Sequence, residues 1–314
     1  MIDFTHCEVN KYRAYGGANG SKINIRYNGE GYMLKFPPAP TLSKTISYTN
    51  SCISEYLACH IFELLGIKAQ KTLLGTYTDQ RGREKLVVAC KDFTEDGKRL
   101  MEFAQLKNTC INSVQGGYGT ELSSILQAIE EQMLIPTEQL KAHFWDMFIA
   151  DALLGNFDRH NGNWGILVDE QNQTAEIAPV YDCGSCLYPQ LGTQEMQNVL
   201  DSEELINRRI YNYPTSAIMD GGAKIPYHKF ISSLRDEGCI QALERIAARI
   251  DMEQIEALIQ QTPGLLPIQR NFYQIMIQER KEKIIDYSMA QLLQIRELQP
   301  GEPKLGLQNS SPLL

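Results

Sequence analysis

The stretch GNFDRHNGNWGIL, residues 155–167, places a polar loop between two apolar segments. It follows a predicted helix at 137–154 and precedes a predicted short strand at 164–168. A connecting loop needs only turn-forming residues. This one carries four side chains suited to chemistry within six positions: Asp158, Arg159, His160 and Asn163. The sequence therefore indicates a functional loop here.

The spacing within this loop suggests a role. Asp158 and Asn163 are five residues apart, which is the separation between the catalytic base and the magnesium-binding asparagine in kinase catalytic loops. An Asp/Asn-rich turn that joins two elements explains the pair equally well when it is taken alone. Arg159 could contact a phosphate or pair with an acidic residue, and we favour the structural role.

A second segment, AEIAPVYDCG (175–184), strengthens the interpretation. It predicts an apolar strand that ends at Asp182, and an Asp-x-Gly in this place is where kinases carry their second magnesium ligand. A plain β-turn is the alternative for Asp182 alone. The joint occurrence of the Asp158/Asn163 loop and the Asp-x-Gly in this order is much less probable by chance than either motif alone.

The N-terminal region offers a possible phosphate site. Residues 22–36 predict a β-hairpin around Asn28-Gly29, and a helix follows at 49–65. Lys35 lies on the second hairpin strand and Glu55 on the helix, an arrangement that can hold phosphates through a Lys–Glu ion pair. A solvated surface lysine and glutamate are the ordinary alternative.

A glycine-rich loop precedes the hairpin and could bring backbone N–H groups close to phosphates. It contains Gly16, Gly17, Ala18, Asn19, Gly20, Ser21 and Lys22. The motif matches neither standard phosphate-loop pattern, so a simple glycine-rich turn is the default interpretation.

The chain divides into a strand-rich part, 1–93, a mainly helical part, 94–297, and a tail at 298–314 that is expected to be disordered. Further strands are predicted at 70–77 and 85–90. Further helices are predicted at 121–133, 240–261 and 267–297, the last two separated by Thr262-Pro263-Gly264. The fold class is α+β with two lobes.

Composition excludes several classes. The 314 residues carry a net charge of −8, which argues against a broad grip on nucleic acid or an acidic membrane. No apolar run is long enough to span a membrane, and no signal peptide is visible. The eight cysteines are expected to be reduced, and Cys183 and Cys186 are interpreted as packing residues in preference to a zinc or redox pair.

Taken together, these segments resemble the HipA-like serine/threonine kinases, and most closely their compact CtkA type, which lacks an extra N-terminal domain. The matching stretches span roughly residues 3–290, and they are GGANGSK (16–22), YMLKFP (32–37), SEYLACHIFELLG (54–66), VVACKDF (87–93), LLGNFDRHNGNWG (153–165) and APVYDCGSCLYP (178–189).

The resemblance implies a bilobal protein-kinase-like fold that transfers the ATP γ-phosphate to a protein hydroxyl and that can autophosphorylate. Asp158 would be the catalytic base, and Asn163 and Asp182 would bind Mg²⁺. Lys35 would contact the phosphates, covered by the loop Gly16–Lys22 and with His160 beside them. Lys91, Asp92 and Phe93 would form a hinge that meets adenine, and Glu55 would pair with Lys35.

The expected partners are ATP, Mg²⁺ and a protein substrate, an antitoxin-like protein is a further candidate partner, and no direct nucleic-acid binding and no membrane are expected. A bacterial cytoplasmic location is expected, and export as an effector without a signal peptide remains open. Two other functions remain: a small-molecule phosphotransferase of related fold, and a non-catalytic pseudokinase that only binds ATP.

Overall fold

A computed structural model describes residues 1–13, 21–38, 49–94, 97–111 and 115–298. Five members of the predicted glycine-rich loop lie outside the described residues: Gly16, Gly17, Ala18, Asn19 and Gly20. The predicted tail lies outside them as well, apart from Leu298, which ends the last helix.

The N-terminal region forms a six-stranded sheet with the order β1-β5-β6-β4-β3-β2, antiparallel except for the β1–β5 pair. Its strands are β1 (Ile2–Asp3), β2 (Glu8–Asn10), β3 (Lys22–Tyr27), β4 (Glu30–Lys35), β5 (Thr72–Thr78) and β6 (Glu84–Lys91). The predicted hairpin is confirmed, because β3 and β4 pair through a two-residue turn at Asn28 and Gly29. Both residues have positive φ, 50° and 81°, as a tight hairpin turn requires.

The two faces of this sheet differ in what they contact: one packs into an apolar core and the other faces a cavity. Ile25, Tyr32 and Leu34 share one face and form a small apolar core with Phe4 and Val87. The next residues along β4, Met33 and Lys35, lie on the opposite face because side chains alternate along a strand. That second face is the one that lines the central cleft.

The predicted first helix is confirmed as α1 (Ser51–Leu64), and Gly66 follows it with φ of 72°. Ile53 and Leu57 of α1 belong to the main apolar core, which the C-terminal helices also build. Arg249 Nη1 donates to the Leu65 carbonyl at 3.3 Å, which adds a polar contact. The strand-rich and helical parts are thus joined by a shared core, and the domain division at 93/94 stays a prediction.

The rest of the described chain is mainly helical. Its helices are α2 (Phe103–Cys110), α3 (Leu122–Glu131), α4 (Thr137–Leu154), α5 (Thr193–Leu200), α6 (Glu203–Tyr211), α7 (Tyr227–Ile231), α8 (Glu237–Ala247), α9 (Met252–Gln261), α10 (Pro267–Arg280) and α11 (Tyr287–Leu298), with a π-helical stretch at Lys281–Asp286 between the last two. A three-stranded sheet has the order β7 (Arg99–Glu102), β8 (Gly165–Asp169), β9 (Thr174–Ile177), and a hairpin pairs β10 (Met219–Asp220) with β11 (Ala223–Lys224).

The strand predicted to end at Asp182 is shorter than expected, since β9 ends at Ile177. Pro179 has no N–H to continue the ladder, and Val180 leaves it to form an isolated parallel bridge with Ala69, in the chain just before β5. The Val180 N–H donates to the Lys68 carbonyl at 2.9 Å, and its carbonyl accepts from the Gln70 N–H at 2.8 Å. The change of pairing partner places Asp182 next to the N-terminal sheet, where its carboxylate faces Lys35 of β4.

The single helix predicted at 240–261 is wrong, because the chain forms α8 and α9 with a break between them. Asp251 ends the break as the N-cap of α9, where its side chain accepts from the Gln254 N–H at 3.1 Å. The predicted break at 262–264 is confirmed. The helix predicted at 267–297 is widened into a π-helix at its middle, where consecutive Ile284 and Ile285 are both buried.

Across the described ranges, no helix combines the length and the apolar character that crossing a membrane requires.

Replacing the N-cap Asp251 tests the break between α8 and α9. Asp251→Ala removes the acceptor for the Gln254 N–H and is expected to lower the free energy of unfolding by about 1 kcal/mol. Glu256→Ala, on an exposed position of α9, is the matched control and should stay within about 0.5 kcal/mol of the wild type. Urea unfolding gives both values, and equal effects would contradict the capping assignment.

Candidate active site

A cavity of about 1020 Å³ opens where the inner face of the N-terminal sheet meets the loops that flank β8 and β9. This volume lies at the upper end of the range for small-molecule sites. Most of the predicted site residues described by the structure line it: Lys22, Lys35, Glu55, Asp92, Phe93, Asp158, His160, Asn163 and Asp182. The cavity wall also includes apolar side chains from the sheet, among them Met33 and Val88.

Lys35 lies between two carboxylates. Its Nζ atom is 2.9 Å from Glu55 Oε2 and 3.0 Å from Asp182 Oδ1. The side chain of Glu55 is 2% exposed and that of Asp182 is 44% exposed, so the lysine connects a buried carboxylate to one that faces the cavity. Lys22 is the register partner of Lys35 on the neighbouring strand, which puts a second ammonium group on the same face.

These contacts determine the protonation states of Lys35, Asp182 and Glu55. Burial opposes the charge on Lys35, but the Asp182 and Glu55 carboxylates raise its pKa well above the ordinary value. The Lys35 ammonium in turn lowers the pKa of Asp182 to about 2, so this carboxylate is ionised at neutral pH. Burial raises the pKa of Glu55. Lys35 is therefore a fixed positive charge at the inner end of the cavity.

The loop after α4 presents Asn163 in a fixed orientation. Asn163 Nδ2 donates to the Asp158 carbonyl at 2.7 Å, and the Asn163 N–H donates to the His160 carbonyl at 2.9 Å. Because the amide nitrogen is used inside the loop, the Asn163 Oδ1 atom is the oxygen left for a ligand. Gly155, with φ of 64°, ends α4 and starts this loop.

Asp158 is anchored by its backbone, since its N–H donates to Asn156 Oδ1 at 3.0 Å. Burial raises the pKa of the Asp158 carboxyl group. The nearby charge of His160 acts in the opposite direction and that of Asp182 in the same direction. His160 Nδ1 accepts from the Gly162 N–H at 3.0 Å, so in the neutral ring the proton lies on Nε2.

A buried arginine holds the loop together. Arg159 is 2% exposed, and its guanidinium forms an ion pair with Asp151 of α4, with Nε 3.0 Å from Oδ2. Arg159 Nη1 also donates to the Asn163 carbonyl at 2.8 Å and to the Tyr181 carbonyl at 2.6 Å. Arg159 therefore has the structural role that we favoured.

Further contacts fix the segment around Asp182. The Cys183 N–H donates to Glu55 Oε1 at 3.1 Å, and the Tyr181 hydroxyl donates to the Gly162 carbonyl at 3.0 Å. Asp182 has φ of 55°, a conformation that residues other than glycine seldom adopt. The hydrogen bonds of Tyr181 and Cys183 hold the backbone before and after Asp182, and the Asp182 carboxylate faces Lys35.

The three predicted hinge residues differ in their positions. The N–H groups of Lys91 and Asp92 donate to the Lys71 and Gly31 carbonyls, at 2.8 and 2.9 Å. Lys91 is the register partner of Tyr32, so it lies on the sheet face opposite to Lys35, and its ammonium pairs with Glu30. Asp92 and Phe93 line the cavity, whereas Lys91 uses its polar groups elsewhere.

Sequence reasoning missed several residues of this site. Gln70, Glu102, Tyr118 and Tyr181 line the cavity, and Asn161 binds the Gly117 and Gly119 carbonyls, each at 2.9 Å. The Asn161 side chain was inside the quoted loop and could have been noticed there. Tyr181 likewise lies next to Asp182 in the quoted segment 175–184, whereas Gln70, Glu102 and Tyr118 belong to segments whose patterns point to no chemistry.

Cys183 and Cys186 are buried free thiols of the main core, consistent with packing residues. Within the described part of the chain, His, Cys, Asp and Glu side chains form no cluster of three or more that could hold a metal. A magnesium ion bound together with phosphates needs only one or two protein ligands. The carboxylate of Asp182 and the amide oxygen of Asn163 fit that requirement.

Comparison with known proteins agrees with this geometry. The model of the HipA-like C-terminal domain matches residues 14–261. The serine/threonine-protein kinase CtkA of Helicobacter pylori strain J99 is 49% identical over 295 residues, which cover 94% of this chain and 89% of that protein.

Solved structures give the same result. The crystal structure of a Helicobacter pylori proinflammatory kinase CtkA superposes with a TM-score of 0.88 at 49% identity, covering 94% of this chain and 98% of that one. HipA of Shewanella oneidensis MR-1, solved with HipB and operator DNA, gives a TM-score of 0.56 at 17% identity. That match covers 94% of this chain and 68% of the other chain, and it shows the fold alone.

These matches define the class as a kinase of bilobal α+β fold. The chain belongs to the HipA-like kinase family, and its enzyme class is that of the protein serine/threonine kinases. The predicted family, fold class and enzyme class are confirmed.

Removing the charge of Asp151 tests the role of the buried ion pair. Asp151→Asn leaves the Arg159 guanidinium without its counter-charge in the core and is expected to cost about 3 kcal/mol of unfolding free energy. Asp146→Asn is the matched control, because Asp146 pairs with Arg245 in a partly exposed position. It should cost about 1 kcal/mol or less, and similar losses in both variants would contradict the assignment.

Proposed function

We propose that this kinase transfers the γ-phosphate of ATP to serine or threonine hydroxyls of a protein, with Asp158 as the catalytic base. The observation that carries the proposal is the convergence of Lys35, Asp158, Asn163 and Asp182 on one cavity. Catalysis of phosphate transfer depends mainly on positioning and on neutralising charge. The cavity offers fixed groups for both tasks.

The phosphate end of the nucleotide is assigned to the lysine side of the cavity. Lys35 contacts Glu55 and Asp182, which leaves one of its three N–H donors for the α- and β-phosphates. Lys22 lies beside it on β3, and the glycine-rich segment that ends at Ser21 would cover the same oxygens. The positive charge stabilises ADP as the bond between its terminal oxygen and the γ-phosphorus breaks.

Asn163 Oδ1 and the Asp182 carboxylate would hold Mg²⁺. An ion held by these two residues would supply positive charge against the phosphate oxygens. The structure supports this assignment through two features of the residues themselves. The Asn163 amide nitrogen is bonded inside the loop, and the Asp182 carboxylate is kept ionised by Lys35.

The acceptor hydroxyl is assigned to the side of Asp158. The Asp158 carboxylate receives or orients the hydroxyl proton while the hydroxyl oxygen attacks the γ-phosphorus. The hydrogen bond from Arg159 to the Asn163 carbonyl holds the loop in place. His160 would lie beside the phosphates, with its Nε2 proton available for donation.

The adenine base is assigned to the apolar wall formed by Met33, Val88 and Phe93. Since the N–H groups of Lys91 and Asp92 are used inside the sheet, we assign the backbone contact with the base to Phe93.

A protein substrate follows from the enzyme class, and its identity is not assigned. The HipA structure contains HipB, and an antitoxin-like partner for this chain stays a prediction. The cytoplasmic location and the division into lobes at 93/94 are also predictions.

The decisive experiment is transfer of labelled phosphate from ATP to proteins of a bacterial lysate. Asp158→Asn keeps the size of the side chain but removes the base, and it is expected to lower transfer at least about a hundredfold. Binding of ATP should persist, because Lys35 and Asp182 are unchanged. Asp201→Asn, on an exposed turn between α5 and α6, should transfer at the wild-type rate.

The outcomes separate the candidate functions. Equal labelling by the wild type and Asp158→Asn would contradict the assignment of the base. ATP binding without any transfer by the wild type would favour a pseudokinase. Transfer to a small metabolite but to no protein would favour a small-molecule phosphotransferase.

The pH profile gives a second test. As the pH falls, Asp158 takes up a proton and kcat/KM declines, and its raised pKa places this decline at higher pH than for an ordinary aspartate. The positive charge of Lys224 lowers the pKa of Asp158, so Lys224→Met should move the acid limb to higher pH.

Lys229→Met is the control, since Lys229 is an exposed lysine of α7 that is not among the charges acting on Asp158. Its profile should match the wild type. An acid limb that stays in place or moves to lower pH in Lys224→Met would argue against Asp158 as the titrating base.

A further inference from the structure

The hairpin formed by β10 and β11 carries Lys224 beside the loop that follows α4. The turn of this hairpin is Gly221-Gly222, and both glycines have positive φ, 61° and 80°. Shortly after Lys224, the Tyr227 hydroxyl donates to the Asn156 carbonyl at 2.7 Å. Asn156 Oδ1 in turn accepts from the Asp158 N–H at 3.0 Å. The hairpin and the loop that carries Asp158 are therefore neighbours.

The hairpin has a fixed position on the helical part of the protein. The Glu121 carboxylate accepts from the N–H groups of both turn glycines, at 2.6 and 3.3 Å. At the other end of the hairpin, the Met219 N–H donates to the Thr120 carbonyl at 2.9 Å. Because the backbone is held at both ends, the side chain of Lys224 starts from a defined place.

Most charges of this hairpin are used within the protein. Asp220 forms an ion pair with Arg235, and the Glu121 carboxylate binds the turn. Lys224 is exposed, and within the described part of the chain it has neither an ion pair nor a side-chain hydrogen bond. An exposed lysine is ordinary by itself. The position of this one beside Asp158 suggests a use for its charge.

Three cations act on Asp158, and they differ in their surroundings. Burial raises the pKa of the Asp158 carboxyl group, whereas the charges of His160, Arg159 and Lys224 lower it. His160 lines the nucleotide cavity, and Arg159 is buried against Asp151. Lys224 is exposed and does not belong to the cavity lining. Of these three cations, Lys224 is the one that an approaching protein can reach from outside the cavity.

The surroundings of Asp158 are unfavourable for an acidic acceptor segment unless a cation is present. The carboxylates of Asp158 and Asp182 and the phosphates of ATP would all repel it. Three residues of an extended chain span about 10 Å, which is comparable to the distance over which salt screens exposed charges. A lysine combines a compact charge with a flexible stem. It can therefore meet a carboxylate at somewhat different distances from the acceptor hydroxyl.

We propose that Lys224 selects acceptor sites in which an acidic residue lies within about three positions of the serine or threonine. Its ammonium group pairs with the acidic side chain while the acceptor hydroxyl lies beside Asp158. The inference rests on the proposed function, because it requires an acceptor hydroxyl at Asp158. It assigns an acidic protein segment as the substrate class.

The test begins by mapping the sites that the wild type phosphorylates. Proteins of a bacterial lysate, with their own kinases inactivated by heat and their phosphates removed, are incubated with the enzyme and ATP. Mass spectrometry then identifies the labelled serines and threonines. Acidic residues should be enriched within three positions of these sites. The most strongly labelled site is then prepared as two peptides, which carry either Glu or Gln at the acidic position.

The ratio of kcat/KM for the Glu peptide to that for the Gln peptide measures the selection. It should be about threefold or more for the wild type and should fall to about one in Lys224→Met, because the attraction of an exposed ion pair is lost. The assay is run at about pH 8, well above the ordinary pKa of a carboxyl group, so that Asp158 is ionised in both enzymes. The KM for ATP should not change.

Three further variants complete the design. Lys224→Glu reverses the charge and should prefer a peptide with Lys at the same position over the Glu peptide, which a merely structural role would not produce. Lys224→Arg keeps the charge and should keep the wild-type preference. Lys229→Met, at the exposed lysine of α7, is the matched control and should keep the wild-type ratio.

Mapped sites without an excess of acidic residues would overturn the inference, and so would a Glu-to-Gln ratio that is unchanged in Lys224→Met. A higher KM for ATP with equal losses for both peptides would place Lys224 at the nucleotide and would overturn it as well. Transfer without an acidic preference contradicts this inference alone. The absence of transfer to any protein by the wild type would contradict the proposed function and the inference with it.

Discussion

The candidate site depends on the contacts that the buried guanidinium group of Arg159 makes. This group binds Asp151 of α4 through an ion pair and the carbonyl groups of Asn163 and Tyr181 through hydrogen bonds. The loop that carries Asp158 and the segment that carries Asp182 are thereby attached to one helix. Two loops held this way have far fewer relative positions than free loops, which is what catalysis by positioning requires. The buried guanidinium group of Arg159 is stable in the core only because several partners share its charge.

The N-terminal sheet is attached to the same assembly through residues 180–183. Val180 pairs with the chain before β5, and the Cys183 N–H binds Glu55 of α1. Glu55 then holds Lys35, whose ammonium reaches Asp182. The charges alternate along this chain of contacts, so each ionised group stabilises the next one. The phosphate side and the metal side of the cavity are therefore parts of one hydrogen-bonded network.

The sequence predicted the parts of the site whose information is local. The hairpin at Asn28-Gly29, the helix 137–154 and the loop after it each follow from patterns within a few residues. The long-range contacts could not be predicted in this way, because the sequence does not say which acidic residue a buried arginine such as Arg159 pairs with. The end of β9 and the break between α8 and α9 depend likewise on distant pairing and on a single cap. The family resemblance predicted the order of the segments, whereas the contacts between the segments depend on packing and are visible only in the folded structure.

The most direct test of this account is the turnover of the double variant Asp151→Leu/Arg159→Met. Replacing a buried ion pair with apolar side chains of similar volume can preserve stability, so the variant separates folding from positioning. The account predicts a cooperatively folded protein whose kcat for phosphate transfer is reduced at least about a hundredfold, because the Asn163 and Tyr181 carbonyl groups have lost their shared donor. A folded double variant with the kcat of the wild type would contradict the claim that Arg159 organises the site.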